Sequence, residues 1–181
     1  MKFKLLYLIL GFLLLLPQTS YAKPFHAKTV NGFGYEDAYC LAQNIYFESR
    51  NQSKLGQIAV SLVVIARYLN DYYPDSICGV IKQGSLSTGE IYSIFKKDGK
   101  TVKIPSCQFS WYCDGISDKP PRQDLFEEYM GLAWYILGHK SIWGLIDYAD
   151  HYHAANITPS WAGTTVRYKI TQIDSQVFWK Q

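Results

Sequence analysis

The segment from Lys54 to Asn70 carries apolar side chains on almost every side of the helix that its periodicity predicts. Its apolar members are Leu55, Ile58, Ala59, Val60, Leu62, Val63, Val64, Ile65, Ala66 and Leu69. A helix that is apolar all round is stable in water only when other elements enclose it. Ser53 is the predicted N-cap, and Tyr72-Tyr73-Pro74 is the break that prevents the helix from continuing beyond Asn70. The remaining chain must therefore surround this helix, which predicts a single, mostly helical α+β domain.

The preceding helix, predicted from about Glu36 to Arg50, places a carboxyl group on its apolar face. That face is formed by Ala38, Leu41, Ala42 and Ile45. Asp37 is the predicted N-cap, and Glu48 follows Ile45 by three residues, so it shares the face. Because an unpaired buried charge is costly, Glu48 must be paired, line a cleft or stay protonated near neutral pH. Protonation suits a general acid, since desolvation raises a carboxyl pKa; a helix-end Glu that reaches solvent is the alternative.

The first residues have the pattern of a secretory signal peptide. Two lysines precede the apolar run Leu5–Leu16, and small residues around Ala22 suit cleavage. The run is too short for an ordinary membrane span, although an uncleaved anchor is the alternative. The predicted organisation is a signal peptide at residues 1–22, an N-terminal arm at residues 23–34 and one domain at residues 35–181.

Composition limits the partners of the exported chain. The formal net charge of +3 includes both signal-peptide lysines, so the mature chain has almost no net charge. The chain has no strong basic patch, so we do not expect it to bind nucleic acid. We also expect no stable membrane span once the signal peptide is removed. We expect a location in the periplasm, the cell wall or outside the cell. Protein partners and oligomeric state are left open.

All four cysteines lie after the predicted signal peptide: Cys40, Cys78, Cys107 and Cys113. An even number of cysteines in an oxidising compartment predicts disulfides, for which four residues allow three connectivities. A nucleophilic Cys113 is the alternative, but no Cys-His signature surrounds it.

The remaining segments supply smaller elements. Two β-prone runs between Ile91 and Ile104 flank Asp98-Gly99, which is the strongest short-range signal for a hairpin. A helix is predicted from Phe126 to Leu137, and the tail from Tyr168 to Trp179 alternates weakly, as expected of one or two strands.

Two segments combine aromatic rings with hydrogen-bonding side chains: Cys107–Gly115 and Asp150–Ala154. Together with other blocks they resemble the SleB-like cell-wall hydrolases, the spore-cortex-lytic type of peptidoglycan-cleaving enzyme. In chain order, the resembling blocks are Ile45–Arg50, Gly56–Val60, Ile77–Ile81, Cys107–Trp111 with Cys113–Gly115, His151–Ala154, and Pro159 with Trp161-Ala162. They extend over nearly the whole mature chain.

The resemblance implies a lysozyme-like fold in which one helix-borne glutamate is the acid, a role that carries over to Glu48. Some positions depart from the family pattern. Ser49, Asn51 and Gln52 stand where Ala, Gly and Glu are usual, and Asp150 replaces a usual Thr. Residues 84–106, which contain the predicted hairpin, resemble an insertion.

Cleavage of a glycosidic bond requires a proton for the leaving oxygen and support for an oxocarbenium-like centre. Glu48 can supply the proton. A hydrolase commonly needs a second carboxylate, and the nominal candidates are Asp114, Asp118, Asp147 and Asp150. A lytic transglycosylase needs none, because the C6 hydroxyl of the muramic sugar attacks and leaves a 1,6-anhydro product. The lack of a clear second acid motif favours this route, with muramidase hydrolysis as the alternative.

Sugar binding requires flat apolar faces beside hydrogen-bonding groups. The candidates for stacking on sugar rings are Trp111, Tyr112, Tyr152 and Trp161, although core packing is the alternative for each. The candidates for holding hydroxyl or acetamido groups are Gln108, Ser110 and His151. Ser49 is added because Glu48-Ser49 resembles the Glu-Ser pair of many lytic transglycosylases. The predicted partner is therefore the glycan strand of peptidoglycan.

Two other functions compete with glycan cleavage. A zinc-dependent peptidoglycan amidase or peptidase could use His151 and His153, but His-x-His alone is a weak metal signal. A noncatalytic wall-binding protein could use the same aromatic residues. The favoured hypothesis requires no metal and no cofactor.

Overall fold

The computed structural model describes residues 29–84, 92–97, 100–105 and 107–181. The predicted signal peptide, residues 23–28 of the predicted arm and the Asp98-Gly99 pair lie outside the described residues. The helices are α1 (Tyr35–Ser49), α2 (Lys54–Tyr68), α3 (Ile77–Ile81) and α4 (Gln123–Gly138). The strands are β1 (Tyr92–Lys97), β2 (Lys100–Pro105), β3 (His151–Ala154), β4 (Tyr168–Ile173) and β5 (Gln176–Lys180). Short 3₁₀ turns occur at Ser110–Cys113 and Lys140–Ile142.

Helix α2 lies at the centre of the domain, as its apolar sequence predicts. It contacts α1, α3, α4, β3 and β4, and its residues from Ala59 to Arg67 are buried without interruption. Ser53 is its N-cap, with Oγ accepting a 3.2 Å hydrogen bond from the Gly56 amide. The helix ends at Tyr68, two residues before the predicted end at Asn70.

Helix α1 begins immediately after Gly34, which corrects the prediction of Asp37 as the N-cap. Gly34 has extended backbone and is itself the N-cap. Asp37 is the third residue of the helix, and its carboxylate accepts a 3.0 Å hydrogen bond from the Gly34 amide. An acidic side chain in the first turn also suits the positive end of the helix dipole. The predicted apolar face is confirmed, because Ala38, Leu41, Ala42 and Ile45 are all fully buried.

The end of the predicted arm packs against the domain. Val30 and Phe33 pair in a tight turn, in which Asn31 and Gly32 adopt left-handed backbone conformations. The Phe33 ring is buried against Tyr68 and Trp143. These contacts fix the entry of the chain into α1.

Two antiparallel β elements complete the described part. Strands β1 and β2 form the predicted hairpin, with Lys97 paired to Lys100. The second sheet has the order β3-β5-β4, so that the predicted tail strands are confirmed as β4 and β5. Tyr152 pairs with Phe178 on β5, whose ring is fully buried in the core. The described helices and sheets confirm the predicted mostly helical α+β fold.

Two disulfides link parts of the described chain, one between two helices and one within a loop. Cys40 of α1 is bonded to Cys78 of α3, and Cys107 is bonded to Cys113 across the 3₁₀ turn. All four cysteines are therefore paired, as the sequence predicts. Within the described ranges, no helix is both long and apolar enough to cross a membrane.

Candidate active site

Glu48 lies in the last turn of α1, with its carboxyl group turned towards the sheet. Its Oε2 accepts a 2.8 Å hydrogen bond from the hydroxyl of Tyr152 on β3. Burial raises the pKa of Glu48 above its ordinary value, and the Tyr152 hydrogen bond and the Arg67 cation offset only part of that rise. A carboxyl group in this environment can hold a proton at a pH where an exposed glutamate has lost it.

Tyr152 is half-buried on β3 beside the core. Its ring lies 5.9 Å from that of Phe178, centroid to centroid, within the core side of the sheet. Burial, followed by the charge and hydrogen bond of Glu48, raises the pKa of the Tyr152 phenol well above its ordinary value. The phenol is therefore a neutral donor that holds the carboxyl group.

Arg67 is a buried cation on α2 that sequence reasoning missed. Its Nε donates a 2.8 Å hydrogen bond to the carbonyl oxygen of Asp150, the residue before β3. Its guanidinium carbon lies 5.5 Å from the ring centroids of both Tyr73 and Phe109. Only 5% of its surface is exposed. The signal that could have found it is a lone charge inside a helix that is apolar all round, the same anomaly that singled out Glu48.

The Asp150 carboxylate is bound by neighbouring protein groups. Its Oδ1 lies 2.7 Å from Nδ1 of His151 and accepts a 3.1 Å hydrogen bond from the Gln181 amide. Asp114 is exposed and accepts a 2.7 Å hydrogen bond from the Ile116 amide within its own turn.

The two other candidate second carboxylates are Asp118 and Asp147. Burial, followed by the charge of Asp114, raises the pKa of Asp118, and Asp147 lies 3.5 Å from the Lys180 ammonium. Among the described residues, the one charged group that shifts the pKa of Glu48 is the Arg67 cation. None of the four aspartates therefore acts on Glu48 as a neighbouring carboxylate would.

Two predicted substrate contacts are buried in the protein, which corrects their assignment. The Trp111 ring stacks on Phe47 at 4.8 Å, its Nε1 donates to Asn44 Oδ1 at 3.1 Å, and only 7% of the residue is exposed. Ser49 is fully buried, and its hydroxyl donates to the Ile45 carbonyl at 3.1 Å. Neither side chain has a free face for a sugar, so we do not retain them as substrate contacts.

Gln108 and Ser110 are exposed on the loop that the Cys107–Cys113 disulfide closes. The Gln108 amide donates to the Gln83 carbonyl at 3.0 Å, so the backbone of this loop is fixed while its polar side chains face solvent. Both stay candidates for substrate binding.

His151, His153 and Trp161 form a separate aromatic cluster. Because side chains alternate along a strand, the two histidines lie on the face of β3 opposite to Tyr152. The Trp161 ring is 5.4 Å from His151 and 5.6 Å from His153, centroid to centroid. Tyr152 and the two histidines are neighbours in the sequence, but they lie on opposite faces of the sheet.

The histidines are already engaged by protein groups. His151 Nδ1 contacts Asp150, and His153 Nδ1 lies 2.9 Å from the Ala154 carbonyl oxygen. In the part of the chain that the structure describes, no three His, Cys, Asp or Glu side chains converge as a metal site would require.

Sequence comparison identifies the family of this domain. Residues 51–179 match the profile of the family described as Cell Wall Hydrolase. The chain belongs to the cell wall hydrolase family. Membership confirms the resemblance to SleB-like cell-wall hydrolases and identifies the chain as an enzyme. The matched range contains Arg67, Tyr152 and Trp161, and it begins three residues after Glu48.

Curated relatives are similar over part of this range. A spore cortex-lytic enzyme of Bacillus cereus is 33% identical over 66 residues, which make up 34% of this chain and 26% of that protein. The spore cortex-lytic enzyme of Bacillus subtilis is 33% identical over 70 residues, or 36% of this chain and 23% of that protein. The matches span about a quarter of the length of these relatives.

Two solved structures share the fold over most of the chain. The catalytic domain of the germination-specific lytic transglycosylase SleB from Bacillus anthracis is 23% identical, with a TM-score of 0.51; the match covers 84% of this chain and 100% of that domain. The catalytic domain of the Bacillus cereus SleB protein is 24% identical, with a TM-score of 0.52, and the match covers 86% and 100%.

Proposed function

We propose that this cell wall hydrolase cleaves the glycan strands of peptidoglycan between N-acetylmuramic acid and N-acetylglucosamine, with Glu48 as general acid and then general base. The observation that carries the proposal is the half-buried Glu48 carboxyl group, which accepts a hydrogen bond from Tyr152 and whose pKa burial raises above its ordinary value. The family membership and the similarity to spore cortex-lytic enzymes support the choice of substrate.

In the first step Glu48 gives its proton to the oxygen that bridges the two sugars. The bond from that oxygen to C1 of the muramic sugar breaks, the electron pair stays on the oxygen, and C1 becomes oxocarbenium-like. Tyr152 binds one carboxyl oxygen of Glu48, which leaves the other to face the substrate. General acid catalysis of this kind typically contributes about 10²–10⁴-fold in rate.

In the second step we propose that the C6 hydroxyl of the same muramic sugar attacks C1, while the Glu48 carboxylate takes the hydroxyl proton. The product is a 1,6-anhydro sugar, and the acid is regenerated. The enzyme is on this hypothesis a lytic transglycosylase, and the reaction consumes no water.

The charges around Glu48 support this route over hydrolysis. The two carboxyl groups of a glycosidase lie about 5–5.5 Å apart in retaining enzymes and about 6.5–9.5 Å apart in inverting ones. The contacts of two candidate partners speak against such a role. The Asp150 carboxylate is bound to His151 and to the Gln181 amide, and the Asp114 carboxylate is bound within its own turn.

The proposed reaction takes place outside the cytoplasmic membrane, where peptidoglycan lies. Two disulfides suit an oxidising compartment, and the predicted signal peptide at residues 1–22 provides a route of export. Export itself is part of this proposal.

Digestion of purified sacculi tests the proposal, with mass analysis of the soluble fragments. The wild-type enzyme should release muropeptides that end in 1,6-anhydro-N-acetylmuramic acid and are lighter by one water than hydrolysed ones. Folded Glu48→Gln should lose about 10²–10⁴-fold in rate. The matched control is Glu128→Gln, since Glu128 is a surface residue paired with Lys54 and should tolerate the change.

Each contrary outcome has a distinct meaning. Full activity of folded Glu48→Gln would overturn the assignment of the acid. Loss of activity with a chelator, restored by zinc, would move the site to His151 and His153. Hydrolysed products alone, with Glu48 still essential, would overturn only the transglycosylase route.

A further inference from the structure

Arg67 is a buried cation, and among the described residues no carboxylate forms a salt bridge with its guanidinium. Its Nε donates to a neutral backbone carbonyl, that of Asp150. Nη1 is buried and has no hydrogen-bond partner in the described ranges. Burial of a charge in this way is expensive unless a countercharge offsets it, so the position of the countercharge determines what Arg67 does.

Aromatic rings, neutral phenols and carboxyl groups surround the Arg67 guanidinium. Tyr73 and Phe109 lie 5.5 Å away as rings, and burial raises the pKa of the Tyr73 phenol, which is neutral at physiological pH. Tyr152 is neutral for the same reason. The geometry brings Arg67 close to the acid, because Arg67 binds the backbone of Asp150, two residues before the Tyr152 that binds Glu48. The negative charges that act on Arg67 are those of Asp150 and, more weakly, Glu48.

Only one of these two carboxyl groups changes its charge in the proposed reaction. The Asp150 carboxylate is bound by His151 and by the Gln181 amide. Glu48, in contrast, loses its proton to the leaving oxygen and regains it from the attacking hydroxyl. The electrostatic environment of Arg67 therefore changes with each proton transfer at Glu48.

We propose that Arg67 is a positioning residue for proton transfer: an enclosed cation on α2 that stabilises the Glu48 carboxylate as it forms and is stabilised by it in return. This inference rests on the function proposed above. Burial favours the protonated state of Glu48, while the Arg67 cation favours the ionised state. Because the two effects oppose each other, Glu48 has an intermediate proton affinity. Such an affinity is needed for Glu48 to act as an acid in the first step and as a base in the second.

The hydrogen bond from Arg67 to Asp150 also gives Arg67 a structural role, because it ties α2 to the start of the strand that carries Tyr152. Loss of activity alone would not separate the two roles. The test therefore compares Arg67→Gln, which removes the charge, with Arg67→Lys, which keeps a cation. Arg122→Gln is the matched control, since Arg122 pairs with Asp124 on the surface and should leave activity unchanged.

The first measurement is the pH dependence of kcat/KM on solubilised glycan strands. The free enzyme needs protonated Glu48, so activity falls as the pH rises through the pKa of Glu48. Without the cation that pKa rises, and the alkaline limb of the profile should move to higher pH in Arg67→Gln. The limiting rate should fall by about 10²-fold, the scale for loss of one oriented electrostatic group, and Arg67→Lys should restore the position of the limb.

The second measurement requires no substrate. Carbon-13 NMR of labelled glutamate follows the ionisation of the Glu48 carboxyl group directly, and its midpoint should be higher in Arg67→Gln than in the wild type and in Arg122→Gln. Folded Arg67→Gln with an unchanged limb and an unchanged titration would overturn the inference. If Arg67→Gln does not fold, Arg67→Met replaces it as the uncharged variant: a limb displaced to higher pH would support the inference, and a limb at the wild-type position would overturn it.

This design separates the inference from the proposed function. If Glu48→Gln keeps full turnover, the proposed function fails whatever the titration shows. If Glu48→Gln is inactive but the titration midpoint of Glu48 is the same in Arg67→Gln and in the wild type, the proposed function is supported and the proposed role of Arg67 is wrong.

Discussion

Substitution of Tyr152 by Phe tests how the candidate acid is held. The change removes one hydroxyl group and its 2.8 Å hydrogen bond to Glu48, while the ring keeps its position near Phe178. Because the phenol is buried and neutral, it donates to the carboxylate throughout the working pH range. The prediction therefore concerns the energetics of the carboxyl group more than the packing of the core.

The magnitude follows from the type of bond that is lost. A hydrogen bond to a charged group contributes about 1.5–3 kcal/mol, and about 1.4 kcal/mol corresponds to a factor of ten. The bond strengthens as Glu48 becomes a carboxylate, so most of this energy is lost in the transition state. We expect the limiting rate of Tyr152→Phe to fall by about 10- to 100-fold.

The sign of the pH effect is also fixed. The hydroxyl group lowers the pKa of Glu48 by stabilising the ionised form. Its removal raises that pKa further, so the alkaline limb of kcat/KM should move to higher pH.

Initial rates of fragment release from sacculi, measured from pH 4 to pH 9, provide the assay. Tyr168→Phe, an exposed tyrosine on β4, is the matched control. An unchanged rate and an unchanged limb in folded Tyr152→Phe would refute the assignment of Tyr152 as the partner of the acid.

Three further predictions concern stability. First, the unfolding free energy of the wild type should fall as the pH rises from 4.5, the ordinary pKa of Glu48, through the raised pKa of the folded state. The reason is that the folded state keeps a proton that the unfolded state releases. The same pH slope in urea titrations of Glu48→Gln would contradict this. Trp111→Ala should cost about 3–5 kcal/mol in urea unfolding by removing the ring that stacks on Phe47, and a cost below about 1 kcal/mol would place the ring outside the core. Cys40→Ser/Cys78→Ser should cost about 2–5 kcal/mol in urea unfolding, and an unchanged midpoint would show that this disulfide does not stabilise the fold.

The parts of the fold that the sequence predicted are those that depend on local pattern. The apolar periodicity of α2 and the apolar face of α1 are properties of consecutive residues, and both helices occur within a few residues of the expected bounds. The same holds for the tail strands. The error at Asp37 is also local. Asp37 was predicted as the N-cap, but it lies three residues after the N-cap Gly34 and accepts a hydrogen bond from the Gly34 amide. Apolar periodicity does not define the start of a helix to within three residues.

The arrangement of the site depends on contacts between distant segments. Tyr152 is 104 residues from the glutamate to which it donates. Its neighbours His151 and His153 belong to the other face of the same strand, so sequence proximity in the Asp150–Ala154 segment was a poor guide to spatial grouping. Ser49 was assigned from a dipeptide resemblance, although a helical serine commonly bonds to the carbonyl four residues earlier, as it does here.

The two charged residues of this site lie on α1 and α2, the helices that contribute many of the buried residues of the core. Glu48 is half-buried in the last turn of α1, and Arg67 is buried in the last turn of α2. Packing alone would favour apolar residues at both positions, because replacement of buried ionic groups by well-packed apolar ones is often neutral or stabilising. Their presence therefore requires an explanation other than stability. Proton transfer supplies one, because burial raises the proton affinity of a carboxyl group towards neutral pH and an opposite charge nearby limits that rise.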